Sequence, residues 1–179
     1  MTHIDILDFW FKEISPEQWF QKSDEFDHTI QKRFGEVHHQ ASQGELYPWR
    51  ENIYGRLAEI IVLDQFSRNI YRDDPRAFAC DQMSLVLAQE AVAQKLDQEL
   101  KPQEKSFLYM PYMHSESKLI HEQAVRLYSA KGLEYNLDFE IKHKKIIDRF
   151  GRYPHRNEIL GRTSTPEEIE FLKEEGSSF

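Results

Sequence analysis

The stretch Arg50–Phe66, with the sequence RENIYGRLAEIIVLDQF, decides the fold class of this chain. Ile53, Leu57 and Ile60 follow one another at intervals of four and three residues, which is the period of one α-helical face. Asp64 continues that face one turn later, and the four residues before it are all apolar. A helix that is apolar on nearly every side is typically buried. We therefore predict a central buried helix that carries a carboxylate on its apolar face.

The same period runs through the rest of the chain, and no segment shows the alternation of a half-buried strand. Ser15-Pro16-Glu17-Gln18 and Thr165-Pro166-Glu167-Glu168 are capping boxes with proline at the first helical position. We predict one all-α domain over residues 1–179, in which antiparallel helix pairs form an irregular right-handed bundle or solenoid. The predicted helices cover about residues 4–13, 16–21, 24–42, 50–66, 75–96, 103–113, 117–131, 135–150 and 166–174.

Composition narrows the functional classes. No window of 18 residues is apolar enough to span a membrane, and no secretory signal is visible at the N-terminus. The single cysteine, Cys80, fits a reducing compartment, so we predict a cytoplasmic protein. A net charge of −8 and a pI near 5.5 argue against nucleic-acid binding.

The segment Arg149–Asn157, RFGRYPHRN, is an exception in this acidic chain because it contains three arginines and a histidine around Gly151 and Pro154. Residues 142–162 hold seven Lys and Arg against two acids. Such a basic turn needs anionic partners, either in the fold or in a ligand.

Four predicted helices each place one ionisable side chain where the period expects an apolar one: Asp64, Asp81, Glu116 and His143. A lone buried carboxylate is costly, so we expect these acids to pair with arginines. The nearest candidates along the chain are Arg68, Arg72, Arg152 and Arg156. The pattern leaves three interpretations open, namely a structural network, a ligand pocket and a catalytic site.

Motifs for specific chemistry are few. His114 with Glu116, or His143 with an Asp, is a possible acid–base pair. The chain lacks a Gly-x-Ser-x-Gly elbow, a His-Glu-x-x-His motif and a Gly-rich phosphate loop, so we predict no metal and no cofactor. The pair His38-His39 lies in a polar stretch and is expected to be solvated.

Four blocks of sequence resemble the bacterial domain-of-unknown-function 924 family. They are LDQFSRNIYR (63–72), RAFACD (76–81), YMPYMHSE (109–116), and RFGRYPHRN (149–157) with LGRTST (160–165). The chain departs from the family pattern at Ser67, where proline is usual, and in packing at Met110 and Met113. The resemblance implies a helical fold similar to tetratricopeptide-repeat (TPR) proteins and no established activity. Its blocks contain most of the polar candidates, which together are Asp64, Arg68, Asn69, Arg72, Asp81, His114, Glu116, His143, Arg152, His155, Arg156 and Asn157.

We predict that these residues line a pocket for an anionic ligand, either a small carboxylate or phosphate or the carboxyl end of a peptide. Arg152 and Arg156 would be the main contacts, and Arg68 and Arg72 would assist them. The first alternative is an enzyme that uses the same pocket with a histidine as acid or base. The second is an interaction scaffold with a structural polar network, an exposed aromatic groove and a protein partner; the groove would be formed by Trp10, Trp19 and Trp49.

Overall fold

The computed structural model describes residues 1–179 and contains helices but no β-strand, which confirms the predicted all-α class. The α-helices are α1 (His3–Asp8), α2 (Asp24–Ser42), α3 (Ile53–Ile61), α4 (Ser67–Ile70), α5 (Asp81–Ala93), α6 (Pro102–Met113), α7 (Lys118–Tyr128), α8 (Glu134–Phe150) and α9 (Pro166–Phe171). π-helical turns extend α1 over Phe9–Glu13 and join α3 to α4 over Val62–Phe66. Short 3₁₀ turns occupy Pro16–Trp19, Tyr47–Glu51, Pro75–Phe78, Leu96–Glu99 and Pro154–Arg156.

The helix ends form as their sequences predict. At Thr165 the side chain accepts from the backbone N–H of Glu168 at 3.2 Å, and the Glu168 carboxylate accepts from the backbone N–H of Thr165 at 2.8 Å. Gly151 ends α8 with φ of +71°, a left-handed conformation that glycine adopts at low cost. This turn directs the chain into the basic segment.

The stretch that decided the fold class lies at the centre of the molecule. Residues 57–67 are all buried, and the apolar ones among them belong, with the aromatic side chains around them, to a core of 31 buried residues. The ring of Phe66 lies 5.0 Å from that of Phe34 and 5.6 Å from that of Trp10. Edge-to-face and tilted contacts of this kind add to the apolar burial that aromatic residues contribute to a core.

Three predicted helices differ from the structure in type or in where they begin, and the two predicted at 117–131 and 166–174 end earlier than expected, at Tyr128 and Phe171. The segment 16–21 is only a 3₁₀ turn over Pro16–Trp19. The helix predicted at 50–66 begins at Ile53, because the Asn52 side chain caps it by accepting from the Gly55 N–H at 3.0 Å. The helix predicted at 75–96 begins at Asp81, since Asp74 closes a turn by accepting from the N–H of Arg76 at 2.9 Å.

The predicted exposure of His38 and the predicted aromatic groove are wrong, whereas His39 of the same pair is exposed as predicted. His38 is buried, and its Nε2 donates to Ser67 Oγ at 2.7 Å, because Ser67 itself donates to the carbonyl of Leu63. Burial lowers the pKa of His38 to about 4. Trp10 is also fully buried, so the proposed exposed aromatic groove does not form.

The C-terminal half presents the basic turn. Helix α7 packs against both α6 and α8, and a small second core of Ile146, Ile147, Tyr153 and Phe171 lies beside them. None of the helices combines the length and the apolar character needed to cross a membrane. The repeat-like pairing of the helices stays a prediction.

Candidate functional site

Five of the predicted site residues meet where the ends of several helices converge. Asp64 lies in the π-helical turn and Arg68 on α4, whereas Asp81 begins α5. His114 caps the C-terminus of α6, and Arg156 lies in the 3₁₀ turn after α8. We call these five residues the Arg156 cluster.

Within this cluster, Asp64 and His114 form a buried pair. Oδ1 of Asp64 lies 2.7 Å from Nδ1 of His114, and Oδ2 accepts from Gln65 Nε2 at 2.6 Å. Burial opposes the charge on Asp64, but the neighbouring Arg68 and His114 outweigh it and lower the pKa of this carboxyl. Burial and Arg68 together lower the pKa of His114, so we assign a neutral imidazole that donates from Nδ1. Its Nε2 then carries a lone pair and has no hydrogen-bond partner in the protein.

Arg68 and Arg156 share the carboxylate of Asp81. Arg68 donates to Asp81 Oδ1 and Oδ2 at 2.9 and 3.0 Å, and Arg156 Nη1 lies 3.5 Å from Oδ2. Arg156 also donates from Nη2 to the carbonyl of His114 at 3.0 Å. Counted with Asp64, two arginines face two carboxylates, so the cluster is electrically balanced.

The guanidinium of Arg156 is enclosed and yet incompletely bonded. It lies 4.6 Å from the ring of Phe78 and 4.7 Å from the ring of Tyr153, and only 6% of the residue is exposed. Its Nε and the Nδ1 of His155 are buried atoms without a hydrogen-bond partner. A buried donor without a partner is rare in proteins and costs about 1–3 kcal/mol. Arg156 Nε–H is such a donor and lies among the predicted site residues, so it indicates a ligand contact there; Trp10 Nε1 and Glu140 Oε2 are also buried without a partner, but lie outside this cluster.

Two further histidines border the cluster. His143 donates from Nδ1 to the carbonyl of Phe139 at 2.7 Å, and its ring stacks on that of Phe179. Burial lowers the pKa of His143 to about 3 and, with help from Arg156, that of His155 to about 4. Both imidazoles are thus neutral at physiological pH.

His121 and Glu140 form a second buried pair, and His121 also lies next to Tyr153. His121 Nε2 donates to the carbonyl of Ser115 at 2.7 Å, and Nδ1 lies 2.6 Å from Glu140 Oε1. Both side chains are fully buried, and burial raises the pKa of Glu140 despite the bond to His121. This geometry requires a proton between the two groups, a pair that the sequence analysis did not identify.

The predicted pair of His114 and Glu116 does not form. Glu116 instead accepts from Arg162 at 2.7 and 2.9 Å and from the backbone N–H of Tyr153 at 2.7 Å. Arg162 also donates to Asn157 Oδ1 at 2.9 Å. Arg162 was missed, although it closes the same basic segment in the sequence.

Arg152 is held by an acid and is not a free anion contact. It donates to both carboxylate oxygens of Glu168 at 2.7 and 2.8 Å, and Asn157 Nδ2 donates to the same carboxylate at 3.2 Å. These bonds, with Arg152 first, lower the pKa of Glu168 to about 2. The sequence had assigned Glu168 only to a helix cap, which hid its second role.

Asn69 and Arg72 lie outside the Arg156 cluster. Both donate to Asp27 of α2. They line an open polar cleft of about 290 Å³ together with Asp24, Asp27, His28, Gln31, Ile70 and Asp73. The prediction of a single pocket containing all the arginines is therefore wrong.

The structure contains no group of three or more His, Cys, Asp and Glu side chains arranged to hold a metal ion. Cys80 is buried, and burial together with Asp81 raises the pKa of its thiol. The Arg156 cluster offers hydrogen-bond donors on its arginines and a histidine nitrogen that can exchange a proton.

Comparison with known proteins agrees with the resemblance seen in the sequence. The family model of DUF924, described as a bacterial protein of unknown function, matches residues 6–176. A solved structure from Agrobacterium tumefaciens, the protein of unknown function ATU0120, is 37% identical and superposes with a TM-score of 0.90 over 96% of each chain. Among curated proteins, none matches. The chain belongs to the DUF924 family.

Proposed function

We propose that this member of the DUF924 family binds a small anionic ligand, with Arg156 and His155 as its contacts. The observation that carries the proposal is the buried Nε of Arg156, which has no partner although Nη1 and Nη2 of the same guanidinium are held. A carboxylate or phosphate oxygen is the acceptor that suits an arginine N–H best. Asp81 and the rings of Phe78 and Tyr153 keep the guanidinium in place.

The proposal narrows the anion contacts expected from the sequence. Arg152 and Arg68 each use two guanidinium nitrogens on a carboxylate, and Arg72 does the same outside the cluster. Drawing any of them to a ligand would break a charged pair, which is strongly unfavourable in a buried site. A contact at Arg156 Nε breaks none.

The charge balance of the cluster predicts that binding takes up a proton. The cluster already pairs two arginines with two carboxylates, so an added anion brings one negative charge in excess. A neighbouring neutral histidine can compensate for that charge, because a nearby anion raises its pKa. His155 is the best placed, since it adjoins Arg156 and burial now lowers its pKa to about 4. The affinity for anions should accordingly increase as the pH falls.

Isothermal titration with acetate and with inorganic phosphate tests the proposal. The wild-type protein should bind at least one of them, and Arg156→Gln should reduce the affinity at least tenfold, about 1.4 kcal/mol. Arg72→Gln is the matched control, because it removes an arginine that is also paired with an acid but lies in the separate cleft. Equal affinity in wild type and Arg156→Gln would contradict the proposal.

A second candidate function, proton transfer to or from the bound anion, is favoured by the Asp64–His114 pair. The carboxylate holds the imidazole in the tautomer that leaves Nε2 free, which is the arrangement of a general base. If His114 acts in this way, the wild-type protein should exchange a C–H proton of bound acetate for deuterium in D₂O. His114→Gln should bind the same anion without exchange. If the wild type shows no exchange, the proton-transfer proposal is wrong and only the binding proposal remains.

The alternative of an interaction scaffold predicted a groove of Trp10, Trp19 and Trp49, and this groove does not form because Trp10 is buried. Binding of a protein partner elsewhere stays a prediction. A single buried thiol suits the reducing cytoplasm, where we place the protein.

A further inference from the structure

We infer that the anion carries a flat aromatic ring, and that the ring of Phe179 occupies the place of that ring in the present structure. The inference rests on the proposed function, because it adds a second subsite beside the Arg156 cluster. The probe class is an aryl carboxylate such as phenylacetate.

The aromatic subsite is the face of His143. The imidazole of His143 and the ring of Phe179 have centroids 3.7 Å apart and planes inclined by 24°, so the rings stack. The imidazole is held in place, since Nδ1 donates to the carbonyl of Phe139 and the ring of Tyr153 packs edge-on at 83°. A neutral, fixed imidazole presents a π face to any flat ring.

Phe179 is held weakly at this face. Its side chain and backbone together are 53% exposed, although its ring covers His143 and lies 6.1 Å from the ring of His155. The nearest anchor on its segment is the Ser177 hydroxyl, which donates to the carbonyl of Leu172 at 3.2 Å. A half-exposed ring contributes little apolar burial, so another ring can replace it at low cost.

Tyr153 lies next to both the aromatic subsite and the guanidinium that carries the unpartnered Nε–H. The ring of Tyr153 lies 5.8 Å from that of His143 and 4.7 Å from the guanidinium carbon of Arg156. His155, which also has an unpartnered nitrogen, precedes Arg156 in the same turn, and its ring centroid lies 6.1 Å from that of Phe179. A ring in the place of Phe179 that carries its anionic group one carbon away, as in phenylacetate, would therefore bring that group towards His155.

The test compares phenylacetate with acetate by isothermal titration on wild type, Phe179→Ala and Phe20→Ala. Phe20→Ala is the matched control because Phe20 is also more than half exposed, at 66%, but its ring packs on Trp19 and Phe107 away from the site. Removing Phe179 should strengthen phenylacetate binding at least fivefold and leave acetate binding unchanged. Phe20→Ala should change neither.

The outcomes separate this inference from the proposed function. If acetate binds through Arg156 but Phe179→Ala leaves phenylacetate binding unchanged or weakens it, the inference is wrong and the anion site stands. If neither acid binds to wild type or to Phe179→Ala, the anion site is wrong as well.

Discussion

Replacing Glu168 by alanine should destabilise the protein more than any change at the acid beside it in the sequence. The Glu168 residue is 2% exposed, and its carboxylate accepts four hydrogen bonds from Arg152, Thr165 and Asn157. Breaking a buried charged pair typically costs about 3–5 kcal/mol. The side chain of Arg152 is 28% exposed and regains some hydration, so we expect about 3 kcal/mol, the lower end of that range. For a protein of this size, that corresponds to a fall in Tm of about 6–12 °C.

Glu167→Ala is the internal control, and thermal unfolding followed by circular dichroism is the assay. Glu167 pairs with Arg149 at 2.9 Å, but its side chain is 63% exposed, so its loss should cost less than about 1 kcal/mol. Similar Tm values for the two variants would refute the assignment of Arg152 and Glu168 to a buried structural pair, and would return Arg152 to the candidates for ligand contact.

The pH dependence of stability checks the same pair. The pKa of Glu168 is held at about 2, below the ordinary value of 4.5, chiefly by Arg152. As the pH falls, Glu168 therefore takes up a proton in the unfolded state before it does in the folded state. The stability that the Arg152–Glu168 pair contributes is complete above pH 4.5 and is lost as the pH falls towards 2. Glu168→Gln should flatten the stability curve in that window.

Four further substitutions test the packing and the buried histidine. Gly55→Ala should lower the free energy of unfolding by about 3 kcal/mol, because the added Cβ would lie 1.8 Å from the carbonyl oxygen of Trp49. Gly35→Ala lies in open space within α2 and should raise it by about 0.5–1 kcal/mol. Urea unfolding measures both. Phe66→Ala should cost about 3–5 kcal/mol in the same assay, since its ring is fully buried in the core. The pKa of His38 is about 4 in the folded state, so the unfolded state takes up the proton first and the wild type should lose about 2 kcal/mol of unfolding free energy between pH 8 and pH 5. His38→Asn should abolish this loss. If the pH dependence of His38→Asn equals that of the wild type, His38 is not buried and neutral.

The sequence predicts the helices well because their signals are local. Capping at Thr165 and termination at Gly151 depend on neighbours within a few residues, and both form. Asp64 was identified because an acid on an apolar helical face is itself a local anomaly. The π-helical turn over Val62–Phe66 left no such signal, since it preserves the apolar pattern while shifting the residues around the helix axis.

The pairing of the polar residues could not be predicted, because it depends on which helix ends meet. His114 is 50 residues from Asp64 and only two from Glu116, yet it bonds to Asp64. Glu116 instead accepts hydrogen bonds from Arg162, which is 46 residues away in the sequence. Sequence proximity favoured the wrong partner, and only the packing of α6 against the central helices decides between them.

The most direct test of the anion site is the ¹⁵N NMR signal of the arginine Nε–H groups during titration with acetate or phosphate. If the anion binds at Arg156, the Arg156 Nε–H signal should shift and its proton should exchange more slowly with water, because the anion gives this donor its missing acceptor. The Arg152 Nε–H signal should stay in place, because this group already donates to Glu168. An unmoved Arg156 signal at saturating anion, or a shift at Arg152 alone, would contradict the central claim.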